Sequence, residues 1–175
     1  MVDMLTTPTT EKFIRHWGEM GTRWGINRTV AQVHALLYIS ERPLNAEELV
    51  SALEVARSNI SSSIKELQSW GLVTVVHIKG DRRDHFTTEG NIWEMFRIIA
   101  DERKRREFDP TERLLAECVA DAKASGEKYS HTKLRDLHEF FTITGSFYNQ
   151  ARSLPAKALI ELLRLGSKFK NIFRM

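Results

Sequence analysis

Between Asn45 and Thr88 the chain is punctuated as a short helix, a two-residue connection, a second helix and a β-hairpin, and no other stretch restricts the fold so tightly. Asn45 offers a side-chain oxygen as helix N-cap, Glu48 follows three residues on, and Ala46, Leu49, Val50 and Leu53 repeat at i, i+3, i+4 and i+7. That is the signature of a capped helix with one apolar face. Glu54 and Val55 make the connection. From Ala56 to Trp70 the apolar residues Ile60, Ile64 and Leu67 form one narrow stripe, and Gly71 stands where a helix is expected to stop. Leu72 to Ile78 is rich in β-branched residues, Lys79-Gly80-Asp81 supplies turn chemistry, and His85 to Thr87 reads as a second short strand. Two helices joined by so few residues cross steeply, so that the first braces the second.

The second helix carries the functional signal. With its stripe turned inward it exposes Arg57, Ser58, Asn59, Ser61, Ser62 and Lys65. A merely solvated helix carries long charged side chains in i, i+4 pairs; this one carries short hydroxyls, an amide and a guanidinium crowded toward its N-terminal half. Serine lowers helix propensity relative to alanine, so Ser58, Ser61, Ser62 and Ser63 on one helix ask for a reason beyond solubility. Small polar groups let a backbone come close to nucleic acid, arginine fits guanine O6 and N7, asparagine fits the adenine edge, and helix N-terminal amides favour phosphate. The plain alternative is a serine-rich surface helix without a partner. Lys79, Arg82 and Arg83 sit at the hairpin tip, flanked by Asp81 and Asp84. Such a tip suits a minor groove, where arginine reads width and negative potential, although most charged hairpin tips are only solvated turns.

Around this centre the chain reads as helical. Thr9 to Arg23 places Phe13, Ile14, Trp17 and Met20 on one side, and from Arg28 to Ser40 Val30, Val33, Leu37 and their neighbours give an almost wholly buried pattern. After Asn91, helices are expected over Ile92 to Arg106, Thr111 to Ala124, Lys133 to Ala151 and Ala156 to about Phe173, with breaks at Asp109-Pro110, Gly126 and Pro155. Leu134, Leu137, Phe141, Thr144 and Tyr148 follow helical spacing. Leu159, Leu162, Leu163, Leu165, Phe169, Ile172 and Phe173 make the last segment more apolar than a lone surface helix needs. These stripes suit a second copy of the chain as well as an internal core.

Composition narrows the class. A hydrophobic content of 42% supports a packed core, and 26 basic against 23 acidic residues give only +3, so the distribution of charge matters more than its sum. From Ala151 onward Arg152, Lys157, Arg164, Lys168, Lys170 and Arg174 face Glu161 alone. Cys118 is the only cysteine and leaves no internal disulfide. The six histidines, His16, His34, His77, His85, His131 and His138, follow no metal-ligand spacing, so no metal or other cofactor is expected. With no apolar run long enough for a bilayer and no leader-like N-terminus, a soluble cytoplasmic protein without membrane contact is expected.

Asn45-Ala46-Glu47-Glu48-Leu49, Ala56-Arg57-Ser58-Asn59-Ile60-Ser61, Glu66-Leu67 and Trp70-Gly71-Leu72-Val73 together resemble the GbsR-type branch of the MarR transcriptional regulators. Gly80-Asp81-Arg82-Arg83-Asp84 is similar to the wing of that family, and Thr88-Glu89-Gly90 to the step out of it. The resemblance spans about residues 25–95. It implies a mainly α fold with a small β-hairpin, a winged helix-turn-helix domain at 25–90, an N-terminal helix within 1–24 that joins the helical region, and a helical dimerisation region at 91–175. It implies that Arg57 to Lys65 forms the recognition helix and that Arg82 or Arg83 is the wing arginine. Ala56 departs from the family, which often has a serine N-cap there. Relatives of this type are two-fold dimers on double-stranded DNA and are often controlled by a small-molecule effector, some resembling sensors of choline or betaine. For such a ligand Trp17, Trp24 and Trp93 are the available aromatic faces, although tryptophans on apolar faces are ordinarily core.

Two further functions compete. A winged helix can serve as a protein-protein interaction adaptor without specific DNA binding; the serine-rich helix argues against it. An enzyme would need a phosphate loop, a nucleophile elbow, a metal motif or a carboxylate pair, and the sequence offers none of them.

Overall fold

Asn45 caps the helix that follows it as expected: its side chain accepts from the Glu48 amide at 3.0 Å while Glu48 accepts from the Asn45 amide at 2.8 Å. The computed structural model describes residues 6–169. In chain order it comprises α1 (Pro8–Arg23), α2 (Arg28–Ile39), β1 (Leu44–Asn45), α3 (Ala46–Leu53), α4 (Arg57–Ser69), β2 (Val73–His77), β3 (Asp84–Thr88) and α5 (Ile92–Arg103). A π turn (Lys104–Phe108) then leads into α6 (Asp109–Ala124), α7 (Lys128–Arg152) and α8 (Ala156–Phe169). The protein is mainly helical with one small antiparallel sheet in the order β1-β3-β2. The chain divides into two units, residues 1–98 and 99–175, with the division inside α5.

The first unit is built on α2, whose Val33 and Leu36 are wholly buried. α1 packs along α2 because glycine opens the crossing: a Cβ on Gly21 would stand 2.5 Å from that of Ala31. Leu49 of α3, Ile60 and Leu67 of α4, and Leu44 of β1 close the core. The sheet has a strand that the sequence reading lacks. β1 pairs with β3 through Leu44↔Phe86 and Asn45↔His85, and two residues are too few for an alternating pattern to register. The hairpin strands pair with Val75 opposite Phe86.

The second unit holds the antiparallel packing of the α6 region on α7, marked by Phe108 against Phe141 (ring centroids 4.6 Å) and by the Thr142 hydroxyl donating to Glu112 at 3.1 Å. Asp101 accepts from Tyr148 (2.7 Å) and from Arg152 (2.8 Å). Two expectations are corrected here. Asp109-Pro110 does not break the helix, since the π turn carries the chain through and Pro110 sits in the first turn of α6, where a missing amide costs little. α7 begins at Lys128, five residues before the expected start at Lys133. Phe141, Thr144 and Tyr148 are half-buried toward α6, whereas Leu137, Phe140, Ile143 and Phe147 stand outward at 46%, 59%, 62% and 63% exposure. The stripe of Leu134, Phe141, Thr144 and Tyr148 is thus half-buried as its spacing suggests, and the outward apolar face is a second one, turned from it by roughly one residue, about 100°. Lys170, Ile172, Phe173 and Arg174 lie outside the described residues, as do the side chains of Leu162, Leu163, Lys168 and Phe169. Among the described residues, no helix is long and apolar enough to cross a membrane.

Candidate nucleic-acid interface

The tight connection between α3 and α4 turns on Glu54, which closes α3 in the left-handed conformation (φ 53°) and donates its amide to Val50 at 2.9 Å. Few non-glycine residues adopt this conformation, and here it swings the chain from one helix axis to the next within three residues. α4 then buries Ile60, Ser63, Ile64 and Leu67. Arg57, Ser58, Asn59, Ser61, Ser62 and Lys65 are all exposed, so the six residues singled out on this helix share its outward side.

Nothing caps the helix start. Ala56 occupies the N-cap and offers no side-chain acceptor, and α4 begins at Arg57, so Ser58 lies within the first turn and does not cap a later start. Such an end concentrates amide donors and the positive pole of the helix, which suits an anion such as a phosphate oxygen.

Arg57 is held from outside its own helix. Its Nη1 donates to Oε1 of Glu47 on α3 at 2.6 Å. Glu47 titrates below the usual carboxylate range, first because its own backbone amide hydrogen-bonds it and then because Arg57 donates to it; Arg83 adds a longer-range attraction. The pair is open to solvent on both sides, so its net worth is small. A phosphate or guanine can displace it at little cost.

The wing turn runs from Ile78 to Arg83, with the Asp81 amide donating to Ile78 and Gly80 at φ 90°. Asp81 organises the tip. One carboxylate accepts the Arg83 amide (3.0 Å), its Nε (2.9 and 3.1 Å) and its Nη2 (2.5 Å). These hydrogen bonds hold Asp81 far below the ordinary aspartate range and raise Arg83. Behind it stands His85, buried in β3, with Nε2 3.5 Å from Asp81 and Nδ1 3.0 Å from the Arg83 carbonyl. Arg83 is thus aimed by a clamp on both its backbone and its side chain. Lys79 and Arg82 are exposed and make no salt bridge among the described residues. Asp84 faces His77 at 3.9 Å instead of the arginines. Sequence reading missed Glu47 and His85: Glu47 lies ten residues from Arg57 and only the fold brings the two together, whereas His85 meets the near neighbours Asp81 and Arg83 through the turn that precedes β3.

Trp17 and Trp24 meet edge to face at 6.3 Å. Trp17 also helps to line a hollow of about 170 Å³ with Phe13, His34, Ala35, Tyr38, Ile92 and Met95, and neither Trp24 nor Trp93 lines it. His34 is buried in this wall; burial depresses its pKa to about 4, and its Nε2 has no hydrogen-bond partner among the described residues.

Residues 24–84 match the MarR family model. Over 86 residues the chain is 24% identical to the putative HTH-type transcriptional regulator YvaV of Bacillus subtilis (strain 168), a match that covers 49% of each protein. The match thus spans about half the length of that curated relative. A solved structure described as a transcriptional regulator superposes with a TM-score of 0.65 over 83% of this chain and 96% of its own, at 20% identity. At that identity the likeness shows the fold: a winged helix followed by a helical region.

Proposed function

We propose that this chain is a sequence-specific DNA-binding transcriptional regulator of the GbsR-type branch of the MarR family, acting in the cytoplasm as a homodimer on a pseudo-palindromic operator under the control of a small molecule. The observation that carries this reading is the outward side of α4, where small polar groups and a guanidinium surround an uncapped helix start. Arg57, Ser58, Asn59, Ser61, Ser62 and Lys65 meet base edges and phosphate in a major groove, while Arg83, aimed by Asp81, enters the adjacent minor groove. Arg82 and Lys79 meet the flanking phosphates, which fix register without reading sequence. Residues 91–175, together with the N-terminal helix, supply the dimerisation surfaces; the exposed apolar side of α7 supports this assignment. Two copies then place two recognition helices one helical turn of DNA apart.

Selection of bound fragments from a random DNA pool, followed by band-shift titration, tests the proposal. An enriched site with two-fold symmetry is expected, bound more weakly as salt rises. Arg57→Ala combined with Arg83→Ala should lower affinity at least about 100-fold, since each such contact is worth roughly 1 to 3 kcal/mol. Binding no better than to arbitrary DNA, with a stable complex with another protein, would instead make the winged unit an adaptor.

A further inference from the structure

Arg57 and Arg83 are each held by a carboxylate, but by different sides of the guanidinium. Glu47 takes Arg57 through Nη1 at 2.6 Å, and Nε and Nη2 of Arg57 make no hydrogen bond among the described residues. Asp81 takes Arg83 through Nε and Nη2 together. The edge formed by Nε and Nη2 presents two parallel N–H groups that match a pair of acceptors. That edge is open on Arg57 and occupied on Arg83.

Glu47 takes no part in the capping box of α3, which Asn45 and Glu48 complete between them. Glu48 is also engaged by Arg42, whereas Glu47 has Arg57 and its own backbone amide as hydrogen-bond partners. Arg57 is the first residue of α4, the end from which recognition helices reach base edges. A phosphate competes with Glu47 for this guanidinium, because two anions on one cation repel each other. Guanine is neutral, and its O6 and N7 can take the open edge while Glu47 stays on Nη1.

We infer, resting on the DNA-binding reading above, that Glu47 is a positioning residue: it holds Arg57 so that the open edge reads one guanine of each half-site in the major groove. An arginine fixed in this way has less side-chain freedom to lose on contact. Arg83, with its edge taken by Asp81, enters a minor groove whose base code is degenerate. It reads width and potential there, not a base.

Selection from a random pool of duplexes by the full chain, followed by competition band shifts with each base at each position of the enriched site, tests the assignment. The native chain should prefer guanine at one position of each half-site by at least about tenfold. Arg57→Ala should erase that preference. Glu47→Gln, an exchange at an exposed position outside the cap, should cut it by about threefold, the scale of an exposed ion pair, and leave the preferences at other positions unchanged. Arg83→Ala should weaken binding with the guanine preference intact. If Glu47 acts only through the stability of α3, Glu47→Gln lowers affinity alike at every position, and the assignment is overturned. A guanine preference indifferent to Glu47→Gln, or one that Arg83→Ala erases, overturns it as well. A pool that yields no enriched site removes the regulatory reading and this role with it, whereas an enriched site whose guanine is untouched by Glu47→Gln removes this role alone.

Discussion

α4 and α7 differ most in what they leave facing outward. α4 has a wholly buried stripe, with Ile60 and Leu67 at 0% and 1% exposure, and an outward side of serines, an asparagine, an arginine and a lysine. α7 is nearly twice as long, buries Gly145 alone among its described residues, and turns Leu137, Phe140, Ile143 and Phe147 to the surface. The chain itself supplies the apolar partner of α4, so what that helix still offers is hydrogen-bonding capacity suited to a polar ligand. α7 offers apolar area, which in water favours association. One helix is finished by folding and equipped for nucleic acid. The other, on the proposed reading, is completed by a second chain.

The largest effect that tests this contrast lies on the buried side of α4. Ile60→Ala should cost roughly 2 to 5 kcal/mol, as buried aliphatic truncations do, and urea unfolding reads it directly. Phe140→Ala, measured on the dissociated chain at high dilution, should stay within about 0.5 kcal/mol of the parent. Equal losses at the two positions would mean that α7 packs its outward face within its own chain.

Next comes association. Phe140→Asp with Phe147→Asp places two carboxylates on the apolar face and should raise the dimer dissociation constant at least about 100-fold, or about 3 kcal/mol. Sedimentation at several concentrations measures this, with circular dichroism confirming that the helices persist. An unchanged dimer would move the interface to another surface.

A third measurement separates the two units by pH. Burial depresses the pKa of His34, in the first unit, from 6.5 to about 4. The unfolded chain therefore takes up the proton first as pH falls. The stability associated with neutral His34 is complete above pH 6.5, drains away between 6.5 and 4, and amounts to roughly 3 kcal/mol at about 1.4 kcal/mol per unit. Thermal melts across that window should show the unit that contains α4 weakening, and His34→Leu should flatten the slope. A slope unchanged in His34→Leu would assign the acid sensitivity to other groups.

The same two helices show how far a sequence can be read. The stripe and polar side of α4 were legible because both follow from one local period, and the capping box of α3 because Asn45 and Glu48 are three residues apart. The half-buried stripe of α7 was largely legible, since Leu134, Phe141, Thr144 and Tyr148 follow one period; its second apolar side was not, because periodicity alone does not say that Leu137, Phe140, Ile143 and Phe147 stay uncovered. Glu47 escaped notice because its partner Arg57 meets it across the turn between two helices, and His85 because its contacts with Asp81 and Arg83 depend on the shape of the wing turn. β1 was too short to leave a pattern, and the π turn spread one extra residue over a segment in which Pro110 looked like a stop.

The smallest effect is the most discriminating, because it has opposite signs for stability and for function. Ser58, Ser61 and Ser62 lie exposed on a helix that would be better formed with alanine. Replacing all three with alanine should raise the unfolding free energy by roughly 1 kcal/mol, at a few tenths for each serine. It should also weaken operator binding, by removing hydroxyls that bond bases and phosphates. On α7 no such exchange exists, since truncating an outward aromatic there lowers association without stabilising the separated chain. A triple-alanine variant that gained stability and kept full operator affinity would show that the serines serve only to keep the surface small, leaving recognition to Arg57 and Asn59. A variant that gained stability and lost binding would show that α4 gives up helix stability for contact with DNA.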